Sequence, residues 1–429
     1  MELKEKNYKP RIVDASIKKR LKIFGAVCIE GPRLCGKTWT GLNHANSAFF
    51  IGDSNNNFQN RTMAQLNTSF ALTGDTPRLI DEWQEVPALW DAVRHQVDKT
   101  NMKGQFILTG SSTPRKKGIL HSGTGRIDKI RMRPMSLYES GDSGGVVSLK
   151  SLFEKYDEVQ MVPEITLTDL IYFTVRGGWP SNLAVSRADS GIIPKSYMQS
   201  LLDDDFELIS GAVRSRKKME SLIKSLARNT ATLASNKTLL ADMLEFDKEE
   251  ASADTIAKYL DILDRLFIVE NLNAFDPNYR SSTRVAKNPK RNFVDPSLAV
   301  AALDLTEEKL LGDLSLFGFI FESMVIRDLK IYTEASEGKV FHYRHFDSGD
   351  EIDAIVEMPS GKWGAFEIKL GVNQIDEAAA KLLAMKRYME ERKSDTRVPE
   401  VLCVICGLSM AAYKREDGVY VIPVTALKE

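Results

Sequence analysis

Long apolar runs, cysteine and an excess of charge of either sign are all scarce in this 429-residue chain. Each scarcity excludes something. No stretch approaches the ~18 apolar residues that a membrane-spanning helix needs. The opening MELKEKNYKPRIVDASIKKR lacks the apolar core of a signal peptide, so a soluble, cytoplasmic protein with no membrane partner is expected. The four cysteines, Cys28, Cys35, Cys403 and Cys406, are too few and too scattered for a disulfide framework, which implies a reducing compartment. With 58 basic against 59 acidic side chains the net charge is −1, so no global field draws the chain onto nucleic acid, and any such binding must come from a local basic face. What remains, 43% hydrophobic and 27% charged residues, is an ordinary globular balance in a chain long enough for two or three domains.

The first motif is IEGPRLCGKTWT, directly after the apolar run FGAVCI. Gly31, Gly36, Lys37 and Thr38 fit G-x-x-x-x-G-K-[ST], with a buried-strand pattern before them and a helix-compatible stretch after them. Pro32, Arg33, Leu34 and Cys35 fill the loop and Trp39 begins the helix, so Gly31 to Trp39 is the expected nucleotide-binding stretch. Glycines let backbone N–H groups curl around phosphates, Lys37 reaches the β/γ oxygens, and the Thr38 hydroxyl ligates Mg²⁺. A second signal is PRLIDEWQEVPALW, an apolar strand ending in Asp81 and Glu82. Asp81 is expected to hold Mg²⁺ and Glu82 to polarise the attacking water. The strand GQFILTGSS ends in Thr109, Ser111 and Ser112, suited to sensing a γ-phosphate. Arg126 is a candidate for neutralising transition-state charge, although arginine-rich strand edges are commoner than arginine fingers. ATP is favoured over GTP because no guanine-reading N-K-x-D occurs.

From about residue 160 the pattern turns helical. In TIAKYLDILDRLFIV, Ile256, Tyr259, Leu260, Leu263 and Phe267 share one face, with Ser252 or Asp254 placed to cap the start. A polar turn and NFVDPSLAV follow, so three helices and a basic hairpin describe a winged helix-turn-helix. The basic stretch RSRKK at 214 to 218, and Lys258, Arg284, Lys287, Lys290 and Arg291, are the candidate DNA contacts. Winged helices also serve as spacers and docking modules, and a charge run is usually a solvated face.

Towards the C-terminus, FGFIFESMVIRDL places Glu322 on an apolar helix, while DEIDAIVE and WGAFEIKLG read as paired strands around a PSGK turn. Glu367 and Lys369, two apart, face the same way, and Asp353 comes within reach. Carboxylates Glu322, Asp353 and Glu367 around a divalent cation, with Lys369 beside the activated water, match the D…E-x-K pattern of PD-(D/E)xK nucleases. The bland reading is a hairpin with a cross-strand ion pair. Cys403 and Cys406 have C-x-x-C spacing, but VLCVICGL reads as a buried strand rather than a zinc site.

Taken in order, YKPRIVD, EGPRLCGKT, LIDEWQEVPALWDAVR, FILTGSS, GRIDKIRMRPMSLYE, RGGWP, FVDPSLA and FEIK make the chain resemble prokaryotic AAA-type ATPases with a C-terminal DUF4143 domain, within the STAND-like P-loop group. The resemblance covers almost the whole chain. It implies an α/β protein with a P-loop ATPase domain at residues 1–160, a winged-helix domain at 161–300 and a restriction-endonuclease-like domain at 301–429. Its ATP and Mg²⁺ site would be Lys37, Thr38, Asp81 and Glu82, and its nuclease-type site Glu322, Asp353, Glu367 and Lys369. Two departures, the bulky LCGKT and the alanine of EIDAIVE, remove no expected ligand. The expected function is ATP hydrolysis whose nucleotide state repositions a module acting on DNA. The alternative is a regulatory ATPase scaffold whose nuclease-like domain binds without cutting. Assembly into a homo-oligomer is compatible with both.

Overall fold

The computed structural model describes all residues except 1–6, 56–57, 114–119, 155, 206–215, 247–251, 283, 285–287, 345–350 and 392–396. The chain divides into two compact units, one comprising residues to Pro134 together with Ile262–Ile268, the other comprising the rest from Met135 onward.

In the first unit, α1 (Val13–Leu21) leads into β1 (Ala26–Glu30), and the phosphate loop joins β1 to α2 (Lys37–His44). Then come β2 (Ser47–Phe50), β3 (Arg78–Asp81), α3 (Ala88–Thr100), β4 (Phe106–Gly110) and β5 (Ile127–Arg131). All five strands are parallel, in the order β2-β3-β4-β1-β5. Residues Ala26 to Ile29, Leu79, Ile80, Ile107 and Leu108 have no exposed surface, as expected for parallel strands covered on both faces. Leu89, Val93 and Val97 recur every fourth residue of α3 and, with Trp90, pack against Ala26, Cys28, Ile80 and Leu108 on one face of the sheet. Because β4 lies between β1 and β3, the end of β4 stands between the loop and the acidic pair. That placement assembles the site.

In the second unit, β6 (Val147–Ser148) and β7 (Gln160–Met161) precede α4 (Leu167–Arg176). A helical trio follows: α5 (Arg216–Arg228), α6 (Asn236–Phe246) and α7 (Ala253–Arg265), the last of which belongs to the second unit up to Asp261. Asp242 of α6 ties α5 down by accepting from Ser225 at 2.8 Å and Asn229 at 2.7 Å. Ser252 caps α7 by accepting from the Thr255 N–H at 3.2 Å, and the α7 residues Ile256 and Tyr259 are buried. The hairpin expected after the trio is reduced to two antiparallel bridges, Val269 with Phe293 and Leu272 with Lys290.

Next come α8 (Pro296–Ala302), α9 (Leu314–Ala335), β8 (Lys339–Arg344), β9 (Glu351–Glu357), β10 (Trp363–Lys369), α10 (Ile375–Glu391), β11 (Val401–Cys406), β12 (Ala411–Lys414), β13 (Tyr420–Pro423) and β14 (Leu427–Lys428). Seven strands form a mixed sheet in the order β7-β12-β13-β11-β10-β9-β8. β9 and β10 pair antiparallel as read from the sequence, and Cys403 and Cys406 lie buried in β11. The division at Met135 falls ahead of the expected boundary near residue 160, because β6 pairs with β14 and β7 with β12. The RGGWP and FVDPS stretches meet. The Gly178 N–H donates to Asp295 at 3.0 Å and the Trp179 indole to Ser297 at 2.9 Å. A Cβ at Gly178 would lie 2.0 Å from the Met135 carbonyl oxygen, so only glycine fits. Among the described residues no helix is long and apolar enough to cross a membrane.

Candidate functional site

The phosphate loop takes its shape from backbone geometry. Leu34 (φ 61°) and Gly36 (φ 100°) are left-handed, which turns successive N–H groups to one side as an anion nest. A Cβ on Gly31 would come within 2.1 Å of the Met132 carbonyl oxygen, so the first glycine is required by close approach to the chain after β5. The Lys37 ammonium, almost wholly buried, donates to the Pro32 carbonyl at 2.7 Å across the loop. Cys35 is buried and contributes backbone: its carbonyl accepts from Arg11 at 2.8 Å. Pro32 is buried, whereas Arg33, Leu34 and Trp39 are exposed at the loop surface.

The acidic residues converge on the loop as expected. The Thr38 hydroxyl donates to Asp81 Oδ1 at 2.9 Å, and the Thr109 hydroxyl donates to the same oxygen at 2.6 Å. Burial pushes the Asp81 carboxyl above its ordinary value, against the pull of these two hydroxyls. One hydroxyl and one carboxylate beside a phosphate nest suit Mg²⁺, which takes one or two carboxylates and completes its shell with phosphate oxygens and water. Glu82 sits at φ 57°, a left-handed conformation costing a non-glycine residue on the order of 1 kcal/mol. Its N–H donates to Thr109 at 3.1 Å, and its Oε2 accepts from Ser111 at 2.8 Å and from the Gln84 amide. Thr109, expected at the γ-phosphate, is fully buried and hydrogen-bonded to both acidic residues. Arg126 is half-exposed and its guanidinium donates to Asp98 at 2.7 Å.

Sequence reasoning assigned no role to the N-terminal segment. Arg11, buried, donates to the carbonyls of Cys35 and Arg133, each at 2.8 Å, fastening the loop to the chain after β5. Tyr8 reaches Asp14 at 2.8 Å and Thr40 at 3.2 Å, and Asp14 pairs with His44 at 2.7 Å. The only sequence signal for this clasp was YKPRIVD itself.

The carboxylates of the second unit also come together, but with lysines among them. Asp353 Oδ2 accepts from the Ile368 N–H at 2.8 Å and lies 3.5 Å from the Lys369 ammonium. Glu367 is fully buried. Each of its oxygens lies 2.8 Å from an ammonium, Lys369 on one side and Lys381 on the other, as ion pairs by distance rather than aligned hydrogen bonds. Lys290, 3% exposed, donates to Glu322 and lies 3.9 Å from Asp353. Burial raises the Glu322 carboxyl to about 8 against the pull of Lys290, and raises Glu367 together with the charge of Asp353. Burial works against Lys290, yet Glu322 and Asp353 hold its pKa above the ordinary lysine value. The expectation that Glu322, Asp353 and Glu367 hold a divalent cation therefore does not fit. Among the described residues no group of three or more His, Cys, Asp or Glu side chains is arranged to hold a metal ion.

Of the expected nucleic-acid contacts, two are buried and one is exposed. Lys290 and Arg291 are buried rather than presented to phosphates, and Arg291 donates to the Ala234 carbonyl at 3.1 Å and to Asn236 at 2.7 Å. Arg284 lies 3.3 Å from Glu357 and packs over Phe275 and Tyr279. Lys258 is exposed and pairs with Asp254 one turn earlier. Lys287, and residues 214 and 215 of RSRKK, lie outside the described residues.

Comparison with known proteins matches three stretches of the chain. Residues 24–141 match the family model of an AAA domain, residues 167–309 a domain of unknown function (DUF8612), and residues 317–427 a domain of unknown function (DUF4143). A stretch similar to an AAA domain is thus followed by one similar to DUF4143. Uncharacterized proteins of Mycobacterium tuberculosis and Mycobacterium bovis are each 24% identical over 359 residues, 83% of this chain and 72% of theirs. An uncharacterized protein of Haemophilus influenzae is 26% identical over 222 residues, 51% of this chain and 50% of its own. Among solved structures, a Walker-type ATPase of Pyrococcus abyssi aligns with a TM-score of 0.44 at 12% identity, covering 70% of this chain and 97% of that one.

Proposed function

We propose that the chain binds and hydrolyses ATP with Mg²⁺ at the site made by residues 31–38, Asp81 and Glu82, and that nucleotide state controls a winged-helix and nuclease-like module. The observation that carries the reading is the convergence of Thr38 and Asp81 at 2.9 Å, with Glu82 held beside them by Ser111 at 2.8 Å. Mg²⁺, held by Thr38 and Asp81, would neutralise charge on the β- and γ-phosphates. The loop N–H groups cradle the phosphates. Lys37 exchanges the Pro32 carbonyl for a phosphate oxygen, and Glu82 accepts the proton of the water that attacks the γ-phosphorus as ADP leaves.

What the nucleotide controls has two readings, DNA processing and a regulatory scaffold of STAND type. Burial of Lys290 and Arg291 favours the scaffold, because phosphate contacts need exposed cations. The test of the nucleotide reading is phosphate release from ATP and from GTP with Mg²⁺. ATP is expected to be turned over more efficiently by about tenfold or more. Equal turnover of both, or none of either, would overturn it.

A further inference from the structure

The carboxylate cluster of the second unit has the outline of a cation site and the filling of an ion-pair network. Three carboxylates, Glu322 on α9, Asp353 on β9 and Glu367 on β10, face three ammonium groups, Lys290, Lys369 and Lys381. With all six groups ionised their formal charges cancel. A divalent cation added to the set would leave two uncompensated positive charges in a site whose carboxylates are at most 8% exposed, an arrangement that desolvation penalises strongly.

Lys290 decides what fills the site. It comes from neither the sheet nor α9 but from the strap between the helical trio and α8, and its ammonium reaches both Glu322 and Asp353. The strap is fastened on both sides. Lys290 and Leu272 exchange two backbone hydrogen bonds of 2.9 Å. The next residue, Arg291, exchanges backbone bonds with the 231–232 turn: its carbonyl accepts from Ala231 and its N–H donates to Thr232, both at 2.7 Å. Mg²⁺ or Mn²⁺ bound by Glu322 and Asp353 at about 2 Å from their oxygens would compete with an ammonium that donates to Glu322 and lies 3.9 Å from Asp353.

We propose that Lys290 permanently occupies the divalent-cation position of this nuclease-like site, so that the domain is held together by its own ammonium and does not cleave phosphodiesters. The strap then acts as a fixed internal counter-ion carrier, and the module is left to bind rather than to cut. The proposal rests on the nuclease-like reading of the fold and is independent of ATP hydrolysis.

The test is Mn²⁺ binding to the full chain without nucleotide, followed by electron paramagnetic resonance, in wild type, Asp353→Asn, Lys290→Met, and Lys290→Met with Asp353→Asn. Methionine keeps the length and apolar stem of lysine and removes the charge. The wild type should show no Mn²⁺ signal that depends on Asp353. Lys290→Met should bind one Mn²⁺ at least about tenfold more tightly, since the positive charge that fills the position has been removed. The second substitution should abolish that gain. A folded Lys290→Met protein that gains no Mn²⁺ overturns the proposal. So does wild-type Mn²⁺ binding that Asp353→Asn removes, or metal-dependent nicking of single- or double-stranded DNA by wild type; nicking would leave the nuclease-like fold reading standing. If Lys290→Met does not fold, Lys290→Gln takes its place, with the same expected gain and the same overturning result.

Discussion

Replacing Glu82 with glutamine removes one negative charge while nearly conserving shape, and the site geometry sets what should follow. Glu82 Oε2 accepts from Ser111 at 2.8 Å and from Gln84, so the carboxylate is aimed by two donors. Glutamine keeps one accepting oxygen for Ser111 but cannot take a proton from water. Because Gln84 donates to that same oxygen, its hydrogen bond is kept as well. A positioned general base contributes roughly 10²–10⁴-fold, about 3–5 kcal/mol of transition-state stabilisation at 1.36 kcal/mol per decade. We expect kcat for ATP to fall by about 10²–10³-fold, with ATP affinity within about threefold of wild type because Glu82 is not among the phosphate-cradling groups. Ser111→Ala removes one donor and leaves the charge. A hydrogen bond to a charged group contributes about 1.5 kcal/mol, so kcat should drop about tenfold without a change in binding. Phosphate release measures the first quantity and fluorescence of a labelled ATP analogue the second. Glu82→Gln turnover within threefold of wild type would remove Glu82 from the catalytic role.

Two further outcomes follow from the same unit. Gly31→Ala places a methyl 2.1 Å from a backbone carbonyl that cannot swing aside, so urea melts should show a loss of about 2 kcal/mol or more together with loss of ATP binding. Burial alone would raise the Asp14 carboxyl, but His44, the Arg11 N–H and Tyr8 outweigh it and hold its pKa below the ordinary value of 3.8. Its contribution is therefore fully present above that value and lost as pH falls through the lower native one. Asp14→Asn should flatten the acid limb of the unfolding curve there and leave the neutral-pH melt less affected.

The nucleotide site was legible because its physics is local. A run from strand to glycine turn to helix dictates the loop, and an apolar strand ending in two acids dictates Asp81 and Glu82, whichever strand lies between them. The insertion of β4 between β1 and β3, and with it the turning of Thr109 towards the acids, depends on strand order, which no spacing encodes. Arg11 was invisible for a similar reason: one arginine in a polar segment reads as surface until the loop it fastens is in place. The basic strap misled because Arg284, Lys290 and Arg291 form a charge run in sequence. In the fold each has a partner drawn from 32 to 73 residues away: Glu357 for Arg284, Glu322 for Lys290 and Asn236 for Arg291. The D…E-x-K carboxylates were correctly brought together by strand pairing. That their counter-ions are Lys290 and Lys381 rather than a metal depends on long-range packing that the local pattern does not contain.

The central claim is that residues 31 to 38 hold the phosphates of ATP, and calorimetric titration of the full chain with Mg²⁺–ATP, wild type beside Lys37→Ala, tests it most directly. Lys37 supplies a charge-assisted contact of about 3 kcal/mol to the phosphates, so wild type should bind one ATP per chain and the variant should bind it about a hundredfold more weakly or not at all. Equal affinity in the two proteins, or no heat of binding in the wild type, would contradict the account.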